Sequence, residues 1–205
     1  LGRGSGMAGL VVPRGLSHFA DIFPNVQLRI ITAPTRSIYD QLHTERLDVG
    51  IAIELPPDEL PAGLIASPIG KSEMVLICHP DHALVQDQDP VDLALLIEEP
   101  LITNELTIGY GQIVTTMFSD IGAQPNIRAV ADNIDTLREM VSTGLGVAII
   151  PRSSIDIIGS PASVVVREIK PRRQIGFCIV RRRQAMSRNR ETYFAFLSEA
   201  LTQND

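Results

Sequence analysis

Tryptophan is absent and aromatic residues make up only 4% of the chain, so any core must be built mainly from aliphatic side chains. Cysteine is scarce: Cys78 and Cys178 are the two in 205 residues. That count and spacing exclude a disulfide framework and a CxxC zinc motif. Each cysteine lies in an apolar run, Met-Val-Leu-Ile-Cys and Ile-Gly-Phe-Cys-Ile-Val, and is expected to act as a small buried hydrophobe. No apolar run approaches the ~20 residues of a membrane-spanning helix, so no membrane partner is expected. The N-terminus lacks the basic start and apolar core of a secretory signal, and the expected location is cytoplasmic. Positive charge is in deficit, with 18 Lys and Arg against 24 Asp and Glu for a net charge of −6. Nucleic-acid binding by these residues is therefore disfavoured, because it is driven mainly by phosphate neutralisation. Arg172, Arg173, Arg181, Arg182 and Arg183 form the one basic cluster, which reads as a solvated strand end and turn. His18, His43, His79 and His82 show no metal-site spacing, and no base stands near Ser5 in the sequence. No catalytic residue, metal or cofactor is expected.

What the chain does have is clearest in residues 131–151. Asp132 or Asn133 can cap a helix start, and Asp135 places negative charge in its first turn. Ile134, Leu137, Met140 and Val141 recur at helical spacing. Gly144 stands where a helix stop needs a left-handed residue. Val147 to Ile150 is a short apolar run, as in a buried parallel strand, and Pro151 suits the first turn of a following segment.

The same reading applies along the chain. An apolar helix is expected through Leu10, Val11, Leu16 and Phe19, with Pro13 inside it. Val26, Leu28 and Ile30 alternate with polar residues as in a strand. A helix over 36–46 and a strand over 47–53 complete a β-α-β-α-β start, the pattern of a parallel sheet with helices on its faces. Extended segments are expected at 63–69 and 73–79, a short helix at 91–97 and a strand at 101–103. A helix follows at 109–121, then strands at 127–131, 164–166 and 175–180, and an amphipathic helix carrying Tyr193, Phe194, Leu197 and Leu201. The expected fold class is α/β, with two Rossmann-like subdomains joined by two crossover strands. The subdomains are 1–68 with 170–205, and 69–169.

Several strings in this order resemble the effector-binding domain of LysR-type transcriptional regulators. They are the Gly144-Leu145-Gly146 helix–strand unit ending in Pro151, Phe19-Ala20-Asp21-Ile22-Phe23-Pro24-Asn25-Val26-Gln27-Leu28, Leu47-Asp48-Val49-Gly50-Ile51, and His79-Pro80-Asp81-His82-Ala83-Leu84. In the last, Ala83 stands where the family has proline. The resemblance implies a periplasmic-binding-protein type II-like fold, a small-molecule effector in the cleft between lobes, and DNA binding only through a helix-turn-helix domain absent from this chain. It also implies self-association as a dimer or tetramer, through residues 13–31 and part of 109–131, which would cover Leu16 and Ile22.

In a doubly wound sheet, ligands meet the C-terminal ends of strands and helix N-termini. Three loops fit. Gly4, Ser5, Gly6 and Met7 allow close backbone approach and offer a hydroxyl. Thr103 and Asn104 lead towards Thr107 and Gly109. Asp132 precedes Asn133 and Ile134, where Asn133 serves either a ligand or a helix cap. Free N–H groups at helix starts favour a small anionic metabolite. Asp132 would then point away, and Arg36 is either a counter-charge or a solvated arginine. The leading reading is an effector-sensing regulatory domain. A periplasmic solute-binding protein is the alternative, and an enzyme on the same fold ranks third.

Overall fold

The computed structural model describes residues 2–3, 19–86, 89–106, 109–156 and 163–183, and within 191–199 residues 191, 192, 194–196, 198 and 199. In chain order the elements are β1 (Gly2–Arg3), β2 (Ile31–Thr32), α1 (Thr35–His43), β3 (Gly50–Ile53), β4 (Leu64–Cys78), β5 (Val91–Asp92), β6 (Leu101–Thr103), α2 (Tyr110–Asp120), β7 (Ile127–Val130), α3 (Ile134–Ser142), β8 (Ala148–Pro151), α4 (Ser153–Asp156), β9 (Val165–Arg167), β10 (Ile169–Lys170) and β11 (Gln174–Arg182). The chain divides into two compact units, Leu1–Lys71 with Gly176–Asp205, and Ser72–Ile175.

In the first unit, β1 pairs in parallel with both β2 and β3, with Gly2 opposite Ile31 and Gly50. β11 closes the other side of β3 as an antiparallel neighbour, Cys178 facing Ala52 and Ile179 facing Ile51. α1 turns Ile38, Tyr39 and Leu42 inward, an i, i+1, i+4 set that makes one helix face. These meet Leu47, Ala52, Leu64, Cys178 and Val180 in a single cluster of buried residues. The helix comes close to the strand because Gly50 has no side chain. A Cβ there would lie 2.5 Å from Ile38 Cγ2 and 3.0 Å from Leu42 Cδ1, nearer than packed carbons can sit. Phe19, Phe23 and Phe196 add an aromatic cluster, with ring centroids 4.9 to 5.9 Å apart.

The arginines at the end of β11 differ from the solvated strand end read from sequence. Arg182 Nη1 donates to Leu42 O at 2.7 Å and Leu47 O at 2.9 Å, tying the last turn of α1 to β11. Arg181 stacks over the Phe194 ring at 4.8 Å. Carbonyls at a helix C-terminus lack intrahelical donors, and a guanidinium fork suits them.

In the second unit, β4 lies between β8 and β9, antiparallel to both: Leu76 faces Ile149 on one side and Arg167 on the other. β5 pairs in parallel with β10, and β6 with β7. Leu101 also bridges in parallel to Val147. Arg167 is buried and donates to Leu84 O at 2.5 Å and Val85 O at 2.6 Å, holding the turn after β4.

Five expectations need correction. The run at 147–150, read as a parallel strand, pairs antiparallel with β4 over Ala148–Pro151, and only Val147 bridges in parallel, to Leu101. Val26 and Leu28 are half-buried between exposed neighbours, but Ile30 is 45% exposed and only Ile31–Thr32 joins the ladder. The segments read at 63–69 and 73–79 are one 15-residue strand, since Gly70–Lys71 bends no turn. Residues 91–97 form β5 and a 3-10 turn at Leu93–Leu96, capped by Asp92 Oδ1 accepting from Ala94 N at 3.0 Å. Pro151 ends β8 opposite Met74 rather than opening a helix, as a residue without an N–H can at a strand end.

Candidate functional site

Four of the expected site residues, Gly4, Ser5, Gly6 and Met7, lie outside the described residues, as do Thr107 and the helix expected around Leu10 to Leu16. The other four, Thr103, Asn104, Asn133 and Ile134, come together in the second unit, because β6 and β7 are parallel neighbours whose C-terminal ends share one edge. Thr103 closes β6 and is 2% exposed. Its carbonyl accepts from Ala131 N at 2.8 Å, and Asn104 Nδ2 donates to Ala131 O at 2.9 Å. Both main-chain groups of Ala131 are thus held by consecutive residues at the end of β6. This lock sets where the chain leaves β7 and enters α3.

Asn133 is the cap of α3. Its Oδ1 accepts from Thr136 N at 2.8 Å, and its Nδ2 donates to Asp132 Oδ1 at 2.7 Å. Both ends of that side chain are therefore engaged within the loop. Asp132 is exposed. Ile134, the first residue of α3, is buried at 2% exposure and belongs to the core; what it offers at the loop is its main chain. α3 ends at Gly144, whose φ of +76° is the left-handed conformation that a side chain disfavours.

Two groups stand free at these strand ends. Among the described residues, neither the Thr103 hydroxyl nor Asn104 Oδ1 has a hydrogen-bond partner. A neutral hydroxyl and an amide oxygen form a donor–acceptor pair, which has the chemistry to hydrogen-bond a polar group but supplies neither a base nor a nucleophile activator.

The α3 face differs from the apolar stripe read from sequence. Arg138 is buried with Ile134, Leu137 and Val141, while Met140 is half-buried. Arg138 Nη1 stands 3.7 Å from Asp135 Oδ1, and among the described residues Arg138 Nε has no partner. Tyr110, at the first position of α2, buries its hydroxyl without a partner among the described residues. Burial pushes that phenol well above its usual range. Helical spacing ranks arginine and tyrosine as surface residues or as core residues with a polar tip, so no local signal marks either one.

The remaining sequence candidates have other roles. Arg36 is exposed in the first turn of α1. His79 Nδ1 accepts from Asp81 N, and His82 Nδ1 accepts from Leu84 N while its Nε2 faces Glu99 Oε2 at 3.3 Å; both histidines shape one turn. Cys78 and Cys178 are free and buried. Burial, followed by the Glu54 charge, pushes the Cys178 thiol up from 9.0 to about 11, partly offset by the hydrogen bond with Tyr39. A thiol held neutral in this way is a poor nucleophile.

Comparison with known proteins identifies the family and the fold. The family model "LysR substrate binding domain" matches residues 1–202. The uncharacterized HTH-type transcriptional regulator YvbU of Bacillus subtilis is 28% identical over 171 residues, covering 83% of this chain and 56% of that protein. The HTH-type transcriptional regulator TtuA of Agrobacterium vitis is 30% identical over 150 residues, covering 72% of this chain and 48% of that one. The chain spans about half the length of the curated relatives it matches. The CcmR regulatory domain of Synechocystis PCC6803, solved in complex with 2-PG, superposes with a TM-score of 0.85 at 17% identity, covering 99% of this chain and 96% of that one. The effector-binding domain of QuiR, solved in complex with shikimate, gives a TM-score of 0.85 at 20% identity over 99% and 96% of the two chains. The fold is α/β and of the type II periplasmic-binding-protein kind, and the chain belongs to the LysR substrate-binding domain family.

Proposed function

We propose that this chain is the effector-sensing regulatory domain of a LysR-type transcriptional regulator. The family match over residues 1–202 carries that reading. It also favours a regulator over an exported solute-binding protein, which shares the fold. The effector is a small polar metabolite, anionic in charge. Thr103 meets it through its free hydroxyl, Asn104 through an amide oxygen that accepts from a hydroxyl or ammonium of the ligand, and the main chain at Asn133 and Ile134 meets it at the start of α3. Gly4, Ser5, Gly6 and Met7 stay proposed effector contacts on the first unit. The ligand leaves unchanged, since the group at the strand ends is a recognition set. Its effect rests on different affinity for two states of the protein. That difference reaches DNA through self-association and through a DNA-binding domain outside these residues, in the cytoplasm. Ile22 in the first unit, 46% exposed, and Ile121 and Val130 in the second, 37% and 53% exposed, are the apolar positions that pairing of copies would cover.

A thermal-shift screen against carboxylates, amino acids, phosphates and aromatic acids tests the reading. A ligand that binds only the folded state raises the midpoint with concentration. The expected result is a carboxylate or phosphate hit that is lost in Thr103→Val, with the midpoint of the unliganded variant unchanged. A hit that survives Thr103→Val undiminished would remove the ligand from the end of β6.

A further inference from the structure

We infer that the first unit carries a second binding site, for a small oxyanion, at the C-terminal end of α1. A cavity of about 340 Å³ lies there, lined by His43, Glu45, Ala62, Gly63, Arg182 and Arg183. Its volume is that of the smaller metabolite pockets. Two guanidinium groups enter its wall from adjacent residues, and among the described residues neither has an ion-pair partner. Acidic residues outnumber basic ones in this chain, so a cavity wall with two neighbouring arginines and one carboxylate, Glu45, runs against the overall charge balance.

Arg182 is held by its side chain, while Arg183 is exposed and anchored through its main chain alone. Arg182 Nη1 is fixed by the carbonyls of Leu42 and Leu47, which leaves the other edge of the same guanidinium for a ligand. The main-chain N–H of Arg183 donates to Gly63 O at 2.7 Å, which sets the base of its side chain against the loop that forms the opposite wall. A fixed guanidinium loses little further freedom on binding an oxyanion, and its planar fork matches two oxygens at once.

Glu45 is the opposing charge. It sits at φ 61°, in the left-handed region that favours glycine, immediately after α1, with its N–H bonded to Leu42 O. Two cations, one of them fixed, against one carboxylate leave the lining net positive. Ala62 and Gly63 add no competing acceptor side chain. The fitting ligand is a carboxylate or phosphate on a small molecule, with Glu45 tuning affinity downward. This site uses none of the residues at the end of β6 and does not depend on the effector reading.

Amide chemical-shift titrations with inorganic phosphate and, separately, acetate, at ionic strength held constant with chloride, test it. Saturable shifts are expected at residues 43–45, 62–63 and 182–183. Arg183→Gln is expected to weaken binding at least about tenfold with an unchanged melting midpoint, because the Arg183 side chain makes no bond among the described residues. Glu45→Gln is expected to tighten it. Tighter binding of phosphate than acetate assigns the site to phosphorylated ligands, and the reverse order assigns it to carboxylates. The proposal is overturned if neither ion saturates, if Arg183→Gln leaves affinity intact, or if Glu45→Gln weakens it. Binding lost in Thr103→Val but kept in Arg183→Gln would also place the anion elsewhere.

Discussion

Tyr39 and Tyr110 bury the same phenol to similar depth, at 2% and 7% exposure, yet only one of the two hydroxyls is bonded. Tyr39, on α1, donates to Ile53 O at 3.0 Å and lies 3.8 Å from Cys178 Sγ. Cys178 Sγ in turn is 3.7 Å from Ala52 O. One hydroxyl therefore ties a helix to two strands. Tyr110, opening α2, has no partner for its hydroxyl among the described residues. Burial raises both phenols above their usual range, so both stay neutral. The difference lies in partners: the same group is a tie in the first unit and an unmatched desolvation cost in the second. Among the described residues of the second unit, Arg138 Nε and the Thr103 hydroxyl are unmatched on elements that meet at the proposed effector site, while Ser153 Oγ in that unit and Arg181 Nε in the first are unmatched elsewhere. The polar groups deep in the first unit are mostly spent on holding the fold.

Substitutions can break or sharpen that contrast. The largest effect is expected from Arg182→Met, which keeps the aliphatic stem but strips the donor from two carbonyls. It should cost about 2–3 kcal/mol in urea unfolding. A loss too small to measure would mean that the clamp on α1 is idle. Tyr39→Phe should cost about 1–2 kcal/mol, because Ile53 O is left buried without its donor.

The pH dependence follows from the same cluster. The Cys178 thiol is raised from 9.0 to about 11 in the folded chain. A group whose pKa is raised on folding contributes stability that is fully present below the unfolded value and is lost as pH climbs through the folded one. Stability should therefore fall between about pH 9 and 11. Cys178→Ala should flatten part of that fall in melts recorded across the range, and an unaltered slope would contradict the burial of the thiol.

Asn133→Ala should cost about 1 kcal/mol through loss of the cap, read as a lower unfolding midpoint and faster amide exchange in the first turn of α3. The smallest effect is expected from Tyr110→Phe. Removing a hydroxyl that has no partner should leave stability within about 0.5 kcal/mol or raise it slightly. If it destabilises as much as Tyr39→Phe, the two phenols are equally bonded and the contrast fails.

The elements read most reliably were those whose start, face and stop were all written in local chemistry. α3 is the best case: Asn133 caps it, Ile134, Leu137 and Val141 make its buried face, and Gly144 ends it with a positive φ. The helix read at 109–121 is found at 110–120 and the strand read at 101–103 at the same residues. Reading failed where the partner was remote. Among the described residues, 26–30 pair with no strand. Residues 64–78 form one strand where two extended segments are read, because pairing with β8 and β9 over residues 74–78 continues the extended chain.

The candidate site divides in the same way. Strand–helix order placed Thr103, Asn104 and Asn133 at strand and helix ends, and parallel pairing of β6 with β7 gathers them. Nothing in the sequence showed that Asn133 would spend both side-chain atoms inside its own loop, or that Asn104 would hold Ala131.

Local sequence thus settles what depends on neighbours three or four residues away: caps, helix faces, turn glycines and the α/β alternation. Which polar groups find partners is settled across distances the string does not contain. Arg182 reaches Leu42 over 140 residues and Cys178 meets Tyr39 over 139. Arg138 is buried while Met140 is half-exposed because the sheet, not the hydropathy of the helix, decides which side of α3 is covered. Burial makes an unmatched donor costly and a matched one stabilising, so the same residue type takes opposite roles according to what the fold brings beside it.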